Sequence, residues 1–288
     1  MTTKILSAKP VIKQIYSSIR TGIAESGIVP KLVIIVIGED PAAEYYVQNL
    51  VKKGKKNNII VETINYDHGI EEKTVVGKIV ELNSDNSIHG IMIQKPLPEQ
   101  IDEFVINKTI APEKDMDAFN PVNLGKLLLG ISGFVPCTPA AVLEMISFYD
   151  IEVSGKNVVI IGRSNIVGKP LANLLLRKSK PGNATVTVCH SRTANLAKIS
   201  SQADVLIAAI GKPFFVKPEM VKENALIIDV GVNRVFDDEK GYKYVGDVDY
   251  DACFEKVSAI TPVPGGVGSV TTAMLLRNVF LSCKNTSS

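Results

Sequence analysis

The 288 residues contain no CxxC cysteine pair, no apolar run long enough to cross a bilayer and almost no excess of charge. Each absence removes a class of function. The longest apolar run, residues 32–37, is far short of the roughly 20 residues a membrane helix needs. With 32 basic against 30 acidic residues, the net charge is only +2, with neither a basic stripe nor an acidic tail. A small molecule is therefore the expected partner, and nucleic acid is not. Cys137, Cys189, Cys253 and Cys283 lie far apart and follow no export signal. They read as reduced thiols of a cytoplasmic protein, and no structural zinc or other metal site is expected from them. The opening residues MTTKILSAKPVIKQ interrupt their apolar side chains with lysine, which is unlike an anchor or a leader.

What is present is ordinary globular material, 45% hydrophobic and 22% charged, in a chain long enough for two modest cores. Ile12, Ile15, Ile19 and Ile23 repeat at helical spacing, and KLVIIVIG follows as a continuous apolar run suited to a strand covered on both faces. The alternation recurs. A helix over 41–57 leads to the strand IIVETI, and a helix over 71–82 leads to the strand HGIMIQ. Residues 111–125 are crowded with Pro, Asp and Asn and read as a loop between domains. In PCTP, Thr138 is expected to cap the helix AAVLEMISFY, with Pro139 in its first turn. From Lys156 a second series begins, with strands near VVIIG, TVTVC, DVLIAAIG, ALIIDVGV and AITPV, the layout of a doubly wound nucleotide-binding domain. A last helix is expected over 271–281.

The first strand of that series runs into Gly162, Arg163 and Ser164, and Gly168 opens a stretch with Leu171, Leu174 and Leu175 at helical spacing. A glycine turn at a helix start offers backbone N–H groups and a favourable dipole to a pyrophosphate. Taken alone, such a loop is no more than a strand-to-helix turn. The next strand adds a second signal. It ends at Cys189 and is followed by His190, Ser191 and Arg192, where an NAD enzyme would place an acidic residue for the ribose. A hydroxyl and a guanidinium suit a 2′-phosphate instead, and Arg163 can approach the same group, so NADP is the expected cofactor.

These loops belong to an ordered set: GEDPAAEYYV, GIMIQKPLP, KDMDAFNPVNLG, PCTP, GRSNIVGKP, CHSRT, DVGVNR and TPVPGGVGSVT. Over nearly its whole length the chain resembles the methylenetetrahydrofolate dehydrogenase/cyclohydrolase family. The resemblance implies an α/β fold of two α/β domains, an N-terminal parallel-sheet folate lobe and a C-terminal Rossmann-like NADP domain, with a cleft between them. It divides the chain into 1–121 with 270–288 as the catalytic folate-binding domain, and 122–269 as the NADP-binding domain. It implies oxidation of methylenetetrahydrofolate with NADP, a tetrahydrofolate derivative as partner, a place in one-carbon metabolism and a homodimer. By the same resemblance Asp117 accepts the pterin's paired N–H groups, Tyr46 stacks on or orients the folate, and Gln94 stands at a strand end beside it. Pro264 and Gly265 form a turn over the substrate, and Val232 touches the cofactor together with Gly162, Arg163, Ser164, Ser191 and Arg192.

One departure bears on chemistry. The family pattern has a lysine four residues after the tyrosine, and this chain has Leu50. In the bifunctional members that lysine, working with the glutamine, is thought to assist proton transfer as water attacks methenyltetrahydrofolate. Leucine supplies no proton, whereas hydride transfer depends chiefly on alignment. The dehydrogenase is expected to survive better than the cyclohydrolase. Lys53 and Lys95 are the candidate replacements that would keep the enzyme bifunctional. A folate-binding protein without catalysis and a different two-domain NADP reductase are the readings from other classes. Further departures are Ala118 and Ala140 in place of glycine, and Ser269 and Val270 in place of Pro-Met.

Overall fold

The structure, a computed structural model, describes residues 2–238 and 241–286. The chain opens with strand β1 (Lys4–Ile5) and helix α1 (Ala8–Ser26). Val11, Ile15, Ile19 and Ile23 form the buried side of α1, and the four-residue spacing stacks them on one face. Ile12, counted in the expected stripe, is only half-buried. Strand β2 (Lys31–Ile37) is buried at six of its seven residues. Helix α2 (Pro41–Lys56) begins where the Asp40 carboxylate accepts the Ala43 N–H at 2.9 Å, and its last turn carries Lys53, Lys55 and Lys56 against the negative end of the helix dipole. Strand β3 (Ile60–Tyr66), helix α3 (Glu72–Ser84) and strand β4 (Gly90–Ile93) complete a parallel sheet of order β3-β2-β4. Its core gathers Val33, Ile35, Val75, Ile79, Ile91 and Ile106.

Helices α4 (Glu103–Thr109) and α5 (Pro121–Leu129) follow, each opened by a side-chain cap. The expected loop over 111–125 therefore ends at Asn120. That side chain accepts the Val122 N–H at 2.8 Å, Pro121 takes the first helical position, and Gly130 closes the helix at a φ of 72°. The polar composition that read as a linker is a helix start. Helix α6 (Cys137–Phe148) begins two residues earlier than expected, so Thr138 lies inside the first turn and is not its cap.

The second half supplies strand β5 (Asn157–Ile161), helix α7 (Gly168–Leu176), strand β6 (Thr185–Cys189), helix α8 (Leu196–Ser200) and strands β7 (Val205–Ala208) and β8 (Leu226–Asp229). Strands β9 (Asn233–Asp237) and β10 (Gly241–Val245) form an antiparallel hairpin that the sequence reading did not include. Most of its side chains are exposed, so it has no apolar run to announce it. Helix α9 (Tyr250–Phe254), strand β11 (Ala259–Ile260) and helix α10 (Val267–Thr286) complete the chain. The large sheet has the order β1-β11-β8-β7-β5-β6 with every pair parallel. The chain leaves β5 for β6 on one side and then returns to β7 on the other. That reversal places a binding crevice at the carboxyl end of β5, where Gly162 stands.

Two compact units result: the chain up to Lys13 with Thr138–Thr271, and Gln14–Cys137 with the chain from Thr272 onward. The N-terminal residues join the large sheet because β1 pairs with β11. A division at 121/122 would fall at the first residue of α5.

Candidate functional site

In the unit built on the smaller sheet, the loop after α4 carries Asp117 and is anchored from several directions. The Ile91 N–H of β4 donates to the Lys114 carbonyl at 2.8 Å, and a parallel bridge pairs Ile91 with Asp115. The buried Lys114 ammonium donates to the carbonyls of Leu82, Asn83 and Asp85, closing the C-terminal end of α3. Asp115 is buried, and its carboxylate accepts the Asn120 N–H at 2.8 Å and the Asn123 amide at 3.1 Å. From α10, Asn278 donates to the Met116 carbonyl at 2.9 Å, and the Cys137 thiol donates to the same oxygen at 3.2 Å. Ala118 completes the turn at a φ of 57°, a region where an L-residue is held only by its surroundings.

Burial pushes the Asp117 carboxyl up to about 7; the neighbouring Asp115 charge adds to the rise and the Lys95 ammonium opposes it. Tyr46, on α2, has its phenol held well above the ordinary range by burial and then by the charge of Asp117. A hydrogen bond with the Thr272 side chain of α10 works the other way. Tyr46 is thus near enough to Asp117 and to Cys137 for their charges to act on its phenol. Leu50, one turn further along α2, is 0% exposed. Gln94 follows β4 and donates through Nε2 to the Lys95 carbonyl at 2.7 Å, while its buried Oε1 has no hydrogen-bond partner. The Lys95 ammonium is ion-paired with Glu103 of α4 and lies 4.3 Å from the centre of the Phe119 ring. Lys53 is half-buried in the last turn of α2, and burial lowers the pKa of its ammonium.

In the other unit, the crevice at the end of β5 is shaped by two glycines. Gly162 has a φ of 145°, and a Cβ there would stand 2.1 Å from the Ala209 carbonyl oxygen. A Cβ on Gly168 would stand 2.1 Å from the Gly162 carbonyl oxygen. Both positions demand the missing side chain, and together they leave the α7 amino end open beside the exposed Arg163 and Ser164. The Ser164 hydroxyl accepts the Val167 N–H at 3.1 Å, fixing the turn. Beyond β6, the His190 N–H donates to the Thr193 hydroxyl at 2.9 Å and the Arg192 N–H to His190 Nδ1 at 3.1 Å. That tight turn presents Ser191 and Arg192 to solvent. A glycine cradle at a helix start, two guanidinium groups and two hydroxyls are a donor set that fits a dinucleotide with a 2′-phosphate. In Gly162→Ala the new methyl has no room, and we expect a stability loss of about 3 kcal/mol or more, or no folded protein at all. Thermal denaturation checks this, and a variant melting with its parent would show that the crevice tolerates a side chain.

Val232, in the same unit, is exposed beside the start of α10. Pro264 and Gly265 also lie in this unit, and the Gly265 carbonyl accepts the Ala8 N–H at 2.8 Å. Sequence reasoning missed the carboxylates that set these loops. Asp247 is fully buried and accepts N–H groups from Ile210, Gly211 and Lys212 and the Asn233 amide. Asp229 accepts the N–H groups of Gly231, Asp247 and Val248, and burial still pushes its carboxyl up to about 7. Only the absence of side chains at Gly231 and Gly246, each of whose Cβ would collide with one of these carboxylates, hints at the arrangement from sequence.

No helix among the described residues is long and apolar enough to cross a membrane. Residues 6–117 match the family model of the tetrahydrofolate dehydrogenase/cyclohydrolase catalytic domain, and residues 136–287 match that of the NAD(P)-binding domain. The chain is 50% identical over 265 residues to a bifunctional protein FolD of Chlorobium phaeovibrioides, covering 91% of this chain and 90% of the relative. It superimposes with a TM-score of 0.93 on the bifunctional FolD methylenetetrahydrofolate dehydrogenase/cyclohydrolase of Campylobacter jejuni, at 41% identity and 99% coverage of both chains. A Trypanosoma brucei FolD solved with NADP and an inhibitor gives the same TM-score at 34% identity, covering 100% of this chain and 99% of that one. With matches along both units and a cradle of the expected form, the chain belongs to the tetrahydrofolate dehydrogenase/cyclohydrolase family.

Proposed function

We propose that this protein oxidises 5,10-methylenetetrahydrofolate to the 5,10-methenyl form with NADP, and that its cyclohydrolase activity is impaired. The observation that carries the reading is the carboxylate of Asp117 on a loop pinned by β4 and α10, near enough to Tyr46 for its charge to act on the phenol: an ionised acceptor with an aromatic residue nearby fits a pterin edge and its ring system. Gly162, Gly168, Arg163, Ser164, Ser191 and Arg192 would hold the dinucleotide, with Val232 as a further contact. The bound NADP would supply the hydride acceptor for the methylene carbon, so the chain's own task is alignment. Tyr46, steadied by Thr272, and Asp117 supply that alignment on the folate side, with Pro264 and Gly265 as further substrate contacts. Neither duty involves a proton at position 50.

Hydrolysis of the methenyl product does involve a proton. Leu50 offers none. Of the two alternative amines, Lys95 is committed to Glu103 and Phe119. Lys53 fits the fully bifunctional reading better, because burial favours its neutral, proton-accepting form. The deciding assay supplies NADP or NAD with methylenetetrahydrofolate and follows NADPH and the methenyl product separately. We expect NADPH to form with NADP well ahead of NAD while methenyltetrahydrofolate decays at its background rate. Accelerated decay that disappears in Lys53→Met would establish the bifunctional reading, and absence of any reduced cofactor would overturn the dehydrogenase.

A further inference from the structure

The ammonium of Lys95 is placed for a different purpose. It stands immediately after Gln94, tethered by Glu103 of α4 and resting on the face of Phe119. Phe119 is two residues from Asp117, in the same anchored loop. Contact between an ammonium and an aromatic face is attractive, and it strengthens where water is partly excluded. Lys95 thus touches the loop at Phe119, at a different point from the contacts made by β4 and α10.

We propose that Lys95 is a positioning residue for the substrate-binding carboxylate: tethered to Glu103 and seated on Phe119, it sets its positive charge against the loop that carries Asp117. The inference rests on the folate reading of Asp117. A carboxylate accepts two N–H groups only when ionised, and the groups around Asp117 pull its charge both ways. Asp115 on the same loop disfavours ionisation, and so does burial. Tyr46 of α2 and the Cys137 thiol at the start of α6 also sense the Asp117 charge, and burial keeps both protonated through neutral pH. Arg277 of α10 acts on Cys137. Lys95 is the cation that acts on Asp117 itself. With the Asp117 carboxyl at about 7, half of the sites are ionised near neutrality, where the supporting charge has most effect. Removing the cation raises that midpoint further, so the weakening is greatest at and below neutral pH and fades once the solution is alkaline enough to ionise Asp117 unaided.

The test is the pH profile of KM for methylenetetrahydrofolate at saturating NADP, from about pH 6 to about pH 9, in the full-length protein, Lys95→Leu and Lys95→Arg. The wild-type KM should rise as pH falls through about 7. In Lys95→Leu the midpoint should move up by about one pH unit, giving a KM about fivefold higher near pH 7 that returns to the wild-type value by about pH 9, with kcat unchanged. Lys95→Arg, which keeps charge and ring contact, should retain the wild-type profile. A Lys95→Leu profile that superimposes on wild type, or a KM multiplied equally at every pH, overturns the proposal, since lost packing alone is indifferent to pH. If the wild type shows no turnover, the dehydrogenase reading has failed independently, and calorimetric titration with tetrahydrofolate over the same pH series makes the same comparison. Absence of binding there would overturn both.

Discussion

Leu50→Lys should accelerate hydrolysis of methenyltetrahydrofolate by about a hundredfold or more over the parent chain, the scale that a positioned acid–base group typically contributes. Leu50 is fully buried on α2, one turn beyond Tyr46 and therefore on the same side of the helix. A lysine enclosed there loses hydration, which drives its pKa down toward neutrality and leaves part of it as the free amine. The same desolvation destabilises the fold, so a lower melting temperature should accompany the new activity. Leu50→Met is the control for packing and should leave hydrolysis at background. A folded Leu50→Lys protein with hydrolysis still at background would show that the missing lysine is not what limits the second reaction. NADPH formation should change little in either variant, because position 50 takes no part in aligning the hydride.

Asp117→Asn should raise KM for methylenetetrahydrofolate by about a hundredfold or more, because charge-assisted hydrogen bonds from the pterin are lost and an amide N–H is turned toward donors. The same substitution should stabilise the ligand-free protein at neutral and alkaline pH. The sign follows from linkage: the folded carboxyl is raised from 3.8 to about 7, so the folded state binds more protons than the unfolded one across that interval. Stability contributed by this site is therefore present in acid and is lost as pH rises through about 7. Melting curves of the two proteins should coincide near pH 4 and separate by pH 8, with the asparagine variant melting higher. Melting curves that coincide throughout would mean the carboxylate is buried without penalty. An unchanged KM would remove Asp117 from the substrate site. Opposite effects on binding and stability are the pattern of a residue retained for its ligand.

Much of the site was legible in the sequence wherever chemistry alone restricts the residue. The apolar run of β2, too continuous for a half-exposed strand, read as an inner strand and is one. Gly162 and Gly168 read as a strand-to-helix turn able to hold phosphate, and backbone lies about where their side chains would be. The Asn120-Pro121 pair carried an equally physical signal, a cap followed by the residue suited to a first turn, but polar composition concealed the start of α5. The β9–β10 hairpin, mostly solvated, had no pattern by which to be recognised.

By itself, then, the sequence determined which groups were available: a carboxylate and a phenol for the proposed folate site, guanidinium and hydroxyl for the proposed phosphate site, and leucine where the family pattern has lysine. Only the tertiary structure decided what each group faces. It set Thr272 of α10 against Tyr46 of α2, buried Asp115 under the loop that carries Asp117, and turned Lys95 toward Glu103 and Phe119. The physical reason is that donor and acceptor types are fixed residue by residue. Burial and the distance between charges, which set ionisation and affinity, exist only once distant segments have packed together.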